Sequence, residues 1–407
     1  MSMAMVARTS KCVRMLILVA LFGCGLMSGI HSFTIEQIAN LVQGPLWNQS
    51  SIYIYTGYGR NLSGPIPPEL GSLTNLTTLY LSSNGLSGPI PPELGSLTNL
   101  TSLSLSNNQL SGPIPPELGS LTKLTYLSLS NNNLSGPIPP ELGSMTSLFQ
   151  LYFSQNNLSG PIPPALGNLT NLIDLRISNT NLSGPIPPEL ARLTTLQSLD
   201  LDDNNLSGAL PPALGSMTKL QILALSNNNL TGLIPPRFSN MTDLRILYLD
   251  NNNLSGPIPR ELGSLTNLTW LRLHNNRLSG AIPGELGSLT NLTDLWLTNN
   301  SLSGAIPAEL GNLTGIGFIK LSNNNLSGQI PPTVCGKFFY GSSFYPGNPE
   351  LCCSNCVFSS YYPCGASPYC PALKPSTSPS PPIGPSFGGV VAGAAFLLAV
   401  QAISGYY

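Results

Sequence analysis

Leucine recurs along most of this chain at a fixed spacing of 24 residues, with no insertion or deletion between successive repeats. One leucine position marks the start of each unit. Its members are Leu62, Leu86, Leu110, Leu134, Leu158, Leu182, Leu206, Leu230, Leu254, Leu278, Leu302 and Leu326. A constant period in the twenties with this density of leucine predicts a solenoid, in which each repeat packs only on its neighbours.

Three segments with different hydrophobic patterns follow one another within each repeat. Leucines around Leu79 alternate with polar residues, which predicts a short strand with its leucines facing inward. The segment LSGPIP at 62–67 combines Gly and Pro and is expected to be extended, as the edge of a second sheet. Leu70, Leu73 and Leu76 favour a short helical turn. The pattern therefore predicts an α/β solenoid, a right-handed superhelix with a parallel β-sheet on its concave side.

An asparagine follows the strand in almost every repeat. Its side-chain amide can donate and accept hydrogen bonds, so it can satisfy backbone groups in its own turn and in the adjacent repeat. These asparagines are Asn84, Asn108, Asn132, Asn156, Asn204, Asn228, Asn252, Asn276, Asn300 and Asn324. Thr180 stands in this position once, and a hydroxyl can replace only part of the bonding. We expect a local weak point there.

The charge of the chain is low and balanced. It has 16 basic and 17 acidic residues, which argues against nucleic acid as a partner because nucleic acid needs a concentrated basic face. No metal or cofactor motif is found. Asp250, His274 and Thr298 share one lateral row, an order that resembles a catalytic triad. An open strand surface lacks the pocket and oxyanion donors that such chemistry needs, so no catalytic residue is predicted.

The N-terminal segments differ from the repeats in composition. Residues 1–32 resemble a signal peptide, since basic residues precede the apolar stretch at 15–27, and a retained membrane anchor is the alternative. Residues 33–60 are expected to cap the solenoid with a short amphipathic helix and a strand at 51–55. The solenoid itself is assigned to residues 61–332, with about 11 repeats.

Six cysteines crowd into the predicted C-terminal cap at 333–370. An even cluster in an exported chain favours disulfides, of which six cysteines allow 15 pairings, and a zinc site from Cys352, Cys353 and Cys356 is the less favoured alternative. The disulfide candidates are Cys335, Cys352, Cys353, Cys356, Cys364 and Cys370.

A Pro/Ser-rich linker at 371–387 leads to an apolar tail at 388–407. Small residues, a polar spacer and a short apolar end favour a glycolipid-anchor signal, and a single membrane helix or a soluble end are the alternatives.

The repeats contain many Asn-x-Ser/Thr sequons, which are glycan acceptors in an exported protein. The repeat consensus itself writes such triplets, so we expect only some to be used. The glycosylation candidates are Asn48, Asn75, Asn99, Asn168, Asn240, Asn267, Asn291 and Asn312.

The outward strand positions change in character along the chain. The first three repeats carry mostly Ser, Thr and Tyr, and later ones turn charged and aromatic. Because neighbouring strands lie about 4.8 Å apart, we expect Arg272 to lie between Tyr248 and Trp296 in cation–π contact. Exposed Trp, Tyr and Arg dominate binding hot spots, so these positions are candidate ligand contacts. They are Asp200, Asp202, Tyr248, Asp250, Trp270, Arg272, His274, Asp294, Trp296, Phe318 and Lys320.

The acidic residues Asp200, Asp202 and Asp203 allow other interpretations. They could meet a basic protein or a calcium ion, but a solvated acidic face is the preferred one.

The repeat LxxLxLxxNxLSGxIPxxLGxL resembles that of plant-type leucine-rich-repeat extracellular proteins. These include polygalacturonase-inhibiting proteins and the ectodomains of receptor-like kinases and receptor-like proteins. GNPELC at 347–352 resembles the family's C-terminal cap signature. The chain departs from the family in its N-terminal cap, which has Trp47 but not the usual cysteine pair, and in its extra C-terminal cysteines. No kinase domain follows, so a binding ectodomain is expected.

The resemblance implies a non-enzymatic recognition protein on the extracellular face of the plasma membrane or in the cell wall. It would bind a protein, peptide or glycan on the concave face, without a cofactor, and would signal through a transmembrane co-receptor. Two alternatives remain: an inhibitor of a secreted wall-degrading enzyme, and a structural wall or ice-binding protein.

Overall fold

The computed structural model describes residues 53–55, 62–335, 344 and 346–352. The chain divides into two compact units, Met1–Cys370 and Pro371–Tyr407, and all described residues belong to the first. The signal-like segment, the predicted cap helix, Trp47, the linker and the apolar tail therefore lie outside the described residues. Within the described ranges, no helix combines the length and apolar character needed to cross a membrane.

Two parallel sheets run through the described repeats. The first, named the concave sheet, has twelve strands in sequence order. From Thr78–Tyr80 onward, neighbouring strands pair one repeat apart, so that Leu247 lies opposite Leu271 and Leu271 opposite Leu295. The strands are Tyr53–Tyr55, Thr78–Tyr80, Ser102–Ser104, Tyr126–Ser128, Gln150–Tyr152, Asp174–Arg176, Ser198–Asp200, Ile222–Ala224, Ile246–Tyr248, Trp270–Arg272, Asp294–Trp296 and Phe318–Lys320.

The second sheet has thirteen strands, of which twelve come from the LSG or LTG segments of the repeats and the last from the C-terminal cap. Each of these glycines adopts a positive φ, as Gly88 does at 77°, a conformation that a residue without a Cβ adopts at little cost. The strands are Ser63–Gly64, Gly85–Gly88, Gln109–Gly112, Asn133–Gly136, Asn157–Gly160, Asn181–Gly184, Asn205–Ala209, Asn229–Gly232, Asn253–Gly256, Arg277–Gly280, Ser301–Gly304, Asn325–Gln329 and Glu350–Cys352. The predicted second sheet is confirmed.

The helical turns of the repeats are 3₁₀ turns of five residues, a length at which the tighter helix is common. They are Pro68–Ser72, Pro92–Ser96, Pro116–Ser120, Pro140–Ser144, Pro164–Asn168, Pro188–Arg192, Pro212–Ser216, Pro236–Asn240, Arg260–Ser264, Gly284–Ser288 and Ala308–Asn312. A four-residue α-helix, Pro332–Cys335, takes the next equivalent position.

One continuous apolar core lies between the two sheets and the 3₁₀ turns. Leu76, which follows the 3₁₀ turn, and Leu79 and Leu81 of the strand segment are fully buried. Their counterparts in the later repeats are buried as well, except Ile316, which is partly buried. Burying a leucine side chain contributes about 1.5–3 kcal/mol, so the stacked layers supply most of the stability of the solenoid. The alternation of the sequence therefore fixes which residues remain outward on the concave sheet.

The asparagines after the strands form a hydrogen-bonded ladder, as the sequence indicates. The Asn132 amide donates to the carbonyls of Leu105 and Leu129, both at 3.0 Å, and its oxygen accepts from the Leu110 N–H at 3.0 Å. Each amide thus joins its own turn to the preceding repeat. Asn348 continues the ladder into the cap, where it accepts from the Leu326 N–H at 2.9 Å.

The residue before each ladder asparagine is in the left-handed region, with φ between 52° and 58° from residue 83 to residue 323. Asparagine tolerates this conformation better than most residues, which explains the repeated Asn-Asn pair. The sequence analysis did not predict this second role.

We expect Thr180→Asn to raise the midpoint of thermal unfolding. The Thr180 hydroxyl donates to Asn204 Oδ1 but supplies no amide to its own turn and no acceptor for the Leu158 N–H. A restored amide adds about 1 kcal/mol per hydrogen bond. Thr180→Val, which keeps the shape and loses the hydroxyl, should lower the midpoint. Circular dichroism melts measure the three midpoints. Any order other than Thr180→Asn above the wild type and the wild type above Thr180→Val would contradict the ladder as a source of stability.

Both ends of the described solenoid carry cap strands. Tyr53–Tyr55 pairs in parallel with Thr78–Tyr80, which confirms a strand within the predicted 51–55 segment. At the other end Glu350–Cys352 pairs with Asn325–Gln329. Cys352 is buried and disulfide-bonded, while the pairing of the remaining cysteines stays a prediction.

Candidate functional site

The later repeats present a continuous stack of alternating rings and cations on the concave sheet. Tyr248, Arg272, Trp296 and Lys320 occupy the same position on four consecutive strands. The Arg272 guanidinium carbon lies 4.5 Å from the ring centre of Tyr248 and 4.5 Å from that of Trp296. Lys320 Nζ lies 3.6 Å from the Trp296 ring centre. Arg272 therefore lies between two rings, as the strand spacing predicts, and Trp296 lies between two cations.

A second row beside this stack supplies exposed apolar surface. Trp270 is 37% exposed and Phe318 is 47% exposed, whereas most large apolar side chains of the solenoid are buried. The Trp270 ring centre lies 5.9 Å from that of Tyr248 and 5.1 Å from the Arg272 guanidinium carbon. Asp294 lies between Trp270 and Phe318 in the register and accepts a hydrogen bond from the Thr293 hydroxyl at 2.8 Å.

The third row contains His274 and Asp250, whose Nε2 and Oδ2 atoms lie 3.5 Å apart. Asp250 is only 6% exposed, and its carboxylate also accepts hydrogen bonds from the Ser226 hydroxyl and the Asn251 amide, both at 2.7 Å. It therefore holds His274 in place instead of facing a ligand. Burial lowers the pKa of His274, and Arg272 and Lys320 lower it further against the opposing effect of Asp250.

Three polar atoms in this region are buried without a hydrogen-bond partner among the described residues. They are Arg272 Nε, His274 Nδ1 and Trp296 Nε1. Desolvated polar atoms without a partner cost free energy. All three belong to the stack or contact it, since the His274 ring centre lies 5.2 Å from that of Trp296.

The row of Asp250, His274 and Thr298 does not form a hydroxyl-to-histidine relay in the described contacts. The Thr298 oxygen accepts from the Ser322 hydroxyl at 3.5 Å, and no hydrogen bond joins it to His274.

Asp200 and Asp202 lie two repeats before Tyr248 and Asp250 and are both partly buried. Asp200 accepts from the Ser178 hydroxyl at 2.9 Å, and Asp202 accepts from the Ser226 N–H at 2.5 Å. Burial, with a smaller effect of Asp200, raises the pKa of Asp202 to about 7. In the described part of the chain, no group of three or more His, Cys, Asp or Glu residues is placed to hold a metal ion.

We expect the stability of the protein to fall as pH rises from 4 to 7, in part because of Asp202. Its folded pKa, about 7, lies above the usual value near 4, so the folded state holds the proton more tightly than the unfolded state. That stabilisation is complete below pH 4 and is lost as pH rises through 7. Asp202→Asn should match the wild type at pH 4 and unfold at a higher temperature at pH 8. Equal melting curves of the wild type and Asp202→Asn at pH 8 would show that the charged form of Asp202 does not destabilise the folded state.

An aromatic cluster in the early repeats was missed by sequence analysis. Tyr80, Tyr126 and Tyr152 pack edge to face, with ring centres 6.4 Å and 5.8 Å apart. The Tyr152 hydroxyl donates to Asp174 at 2.8 Å, and burial and this bond raise its pKa. The three tyrosines lie in two different rows, so reading the outward positions strand by strand did not bring them together.

Seven of the eight predicted glycan acceptors lie among the described residues, at the last position of a 3₁₀ turn or shortly after one. Asn75, Asn168, Asn240 and Asn312 are exposed. The amides of Asn99, Asn267 and Asn291 each donate to a carbonyl of the preceding repeat at 2.9 Å, which would compete with glycan attachment. Asn48 lies outside the described residues, and the use of every site stays a prediction.

Three family models match the chain. A leucine-rich repeat region covers residues 163–282, paired leucine-rich repeats cover 98–144 and 266–308, and single leucine-rich repeats cover 75–97, 147–169 and 318–336. No curated protein matches the chain.

Several solved structures share the fold. A TDR receptor is 31% identical with a TM-score of 0.69, over 78% of this chain and 52% of that one. The plant peptide hormone receptor RGFR1 in complex with RGF2 is 33% identical with a TM-score of 0.56, over 73% and 54%. The Arabidopsis receptor kinase HAESA, in complex with the peptide hormone IDA and the co-receptor SERK1, is 35% identical with a TM-score of 0.54, over 73% and 57%. The chain spans about half the length of these proteins.

Proposed function

Because the chain belongs to the leucine-rich-repeat proteins, we propose that it is a non-enzymatic, receptor-like recognition protein that binds a peptide on its concave sheet. The binding surface is the C-terminal cluster, defined as Tyr248, Trp270, Arg272, Trp296 and Lys320 with Asp294 and Phe318 at its edge. The protein acts outside the cell, secreted or attached to the plasma membrane.

The observation that carries this proposal is the position of Trp296 between Arg272 and Lys320. Each cation–π contact contributes about 0.5–1 kcal/mol at an exposed site and more when desolvated, so the stack holds its side chains in place before a ligand arrives. Side chains that are already ordered lose little entropy on binding, which favours affinity.

The chemistry of the cluster fits a peptide that combines an apolar side chain with an acidic group. Trp270 and Phe318 offer exposed apolar surface, and Arg272 and Lys320 offer positive charge beside it. Asp294 adds a single acceptor for a ligand amide or amine. Charged side chains on this face orient a bound peptide and so contribute to specificity.

The solved relatives support a peptide as the ligand. RGFR1 is described in complex with RGF2, and HAESA in complex with a peptide hormone and a co-receptor. For this chain we propose the same class of ligand. If a glycolipid replaces the apolar tail, the protein would signal through a transmembrane co-receptor. Two alternatives stay predictions. Inhibition assays with wall-degrading enzymes test the inhibitor, and ice-recrystallisation assays test the ice-binding protein.

Selection from a random-peptide phage library tests the proposed function. The secreted chain serves as bait, and the Arg272→Ala/Trp296→Ala variant and the Tyr80→Ala variant are screened in parallel. We expect enriched peptides to bind the wild type and the Tyr80→Ala control and to lose binding to the double variant. Peptides that bind all three proteins equally would place recognition elsewhere, and failure to enrich any peptide would remove the support for a peptide ligand.

A further inference from the structure

The early repeats present a concave surface without charge. From Thr78 to Ser154, every outward strand position is Ser, Thr, Tyr or Gln. The first charged pair on this face is Asp174 and Arg176, which bond to each other at 3.0 Å. The C-terminal cluster, in contrast, contains Arg272, Lys320 and Asp294. One sheet therefore carries two surfaces of different chemistry.

Three interlocked tyrosines form the walls of this neutral surface. Tyr80 and Tyr126 lie on strands two repeats apart, with ring planes at 89°, and Tyr126 and Tyr152 meet at 85°. Ser104 and Ser128, which are 7% and 4% exposed, form the floor between the rings. Edge-to-face packing fixes the rings and leaves their outer faces half-exposed.

A network of hydroxyl groups lines the same floor. The Ser82 and Ser104 hydroxyls lie 2.5 Å apart, as do those of Ser106 and Ser128. Gln150 Nε2 donates to the Tyr152 hydroxyl at 2.7 Å. These groups are oriented by one another, so a ligand that offers further hydroxyls can join the network without first ordering it.

An apolar rim runs along one edge of this surface. Phe149 and Ile173, 46% and 37% exposed, directly precede the adjacent strands Gln150–Tyr152 and Asp174–Arg176, at positions where the earlier repeats have Thr. Their backbones are joined by the Ile173 N–H, which donates to the Phe149 carbonyl at 2.8 Å. Large apolar side chains held at the surface mark a place of contact with another molecule.

We propose that this neutral tyrosine surface binds an uncharged, β-linked hexose oligosaccharide of the kind found in cell-wall glucans and mannans. The C–H faces of a pyranose ring pack on Tyr and Phe rings, and its hydroxyls exchange hydrogen bonds with Ser, Tyr and Gln. Arg176, whose guanidinium carbon lies 5.4 Å from the Tyr152 ring centre, is ion-paired with Asp174. A galacturonate polymer would meet that carboxylate beside the cation, so a neutral glycan is favoured.

The neutral tyrosine surface is separate from the C-terminal cluster. Three strands, Asp174–Arg176, Ser198–Asp200 and Ile222–Ala224, lie between Gln150–Tyr152 and Ile246–Tyr248. Four steps of about 4.8 Å place Tyr152 and Tyr248 roughly 19 Å apart along the sheet. The proposal does not depend on the peptide-binding function, since each surface has its own variants.

Isothermal titration of the full secreted chain with β-1,4-linked glucose and mannose oligomers tests the proposal, with galacturonate oligomers of equal length as the charged counterpart. We expect the neutral oligomers to bind with little dependence on salt. Tyr126→Ala and Phe149→Ala should each weaken binding at least tenfold, Tyr126→Phe should retain most of it, and Trp296→Ala should have no effect.

The result that overturns the proposal is any of three outcomes. They are no binding of neutral oligomers, tighter binding of the galacturonate oligomers, and neutral binding unchanged by both Tyr126→Ala and Phe149→Ala. Phe149 is exposed at the edge of the sheet, so its variant reports on binding even where Tyr126→Ala disturbs the fold. Inhibition of ice recrystallisation without glycan binding would also reject a glycan ligand.

Discussion

Trp296→Ala is expected to weaken binding of a selected peptide by about 2 kcal/mol or more, roughly thirtyfold, as for other central aromatic hot spots. The ring centre lies 4.5 Å from the Arg272 guanidinium carbon and 3.6 Å from Lys320 Nζ, so its removal takes away the apolar surface between the two cations. Arg272 then keeps its contacts with the rings of Tyr248 and Trp270. Isothermal titration with the synthetic peptide measures the loss.

Two matched variants separate the role of the ring from a general effect on the fold. Trp296→Phe keeps an aromatic face between the cations and should recover part of the affinity, because Phe binds cations less strongly than Trp. Tyr80→Ala removes an aromatic side chain from the same sheet, far from the cluster, and should leave peptide affinity unchanged. If Trp296→Ala kept full affinity for the peptide, the stack would not be part of the binding surface.

Asn108→Ala is expected to lower the free energy of unfolding by about 2–4 kcal/mol. The amide donates to the carbonyls of Leu81, Leu105 and Ser106 and accepts from the Leu86 N–H, at distances between 2.9 and 3.1 Å. Alanine leaves those groups without this partner in a half-buried part of the turn. Guanidinium unfolding followed by circular dichroism gives the change in midpoint.

Gln109→Ala is the matched control for that variant. Gln109 is the next residue, is exposed, and belongs to no sequon, so neither glycosylation nor the core changes. Its midpoint should stay within the error of the wild type. A loss for Gln109→Ala as large as that for Asn108→Ala would mean that the ladder is not the origin of the effect.

The repeat determined most of the fold in advance because it is so regular. The spacing of 24 residues fixed the strand register, and the alternation around Leu79 fixed which side chains face the core. The same register was enough to place Arg272 between two rings. The 3₁₀ character of the turns was not predicted, because leucines three residues apart suit either type of helix.

The parts that sequence analysis missed depend on contacts across rows or on burial. Tyr80, Tyr126 and Tyr152 meet diagonally, which no single row reveals. Asp250 stands at an outward position, but the hydrogen bonds from Ser226 and Asn251 draw its carboxylate beneath the surface. Side-chain conformations of this kind depend on neighbours in three repeats at once. The repeat pattern alone does not predict these conformations.

Tryptophan fluorescence during a peptide titration tests the C-terminal cluster most directly. The chain has three tryptophans, so a Trp47→Phe variant emits only from Trp270 and Trp296, which both lie in the cluster. With a selected peptide that lacks tryptophan, we predict a saturable change in emission whose midpoint equals the dissociation constant from isothermal titration. Binding detected by calorimetry with no change in emission would show that the peptide does not occupy the cluster.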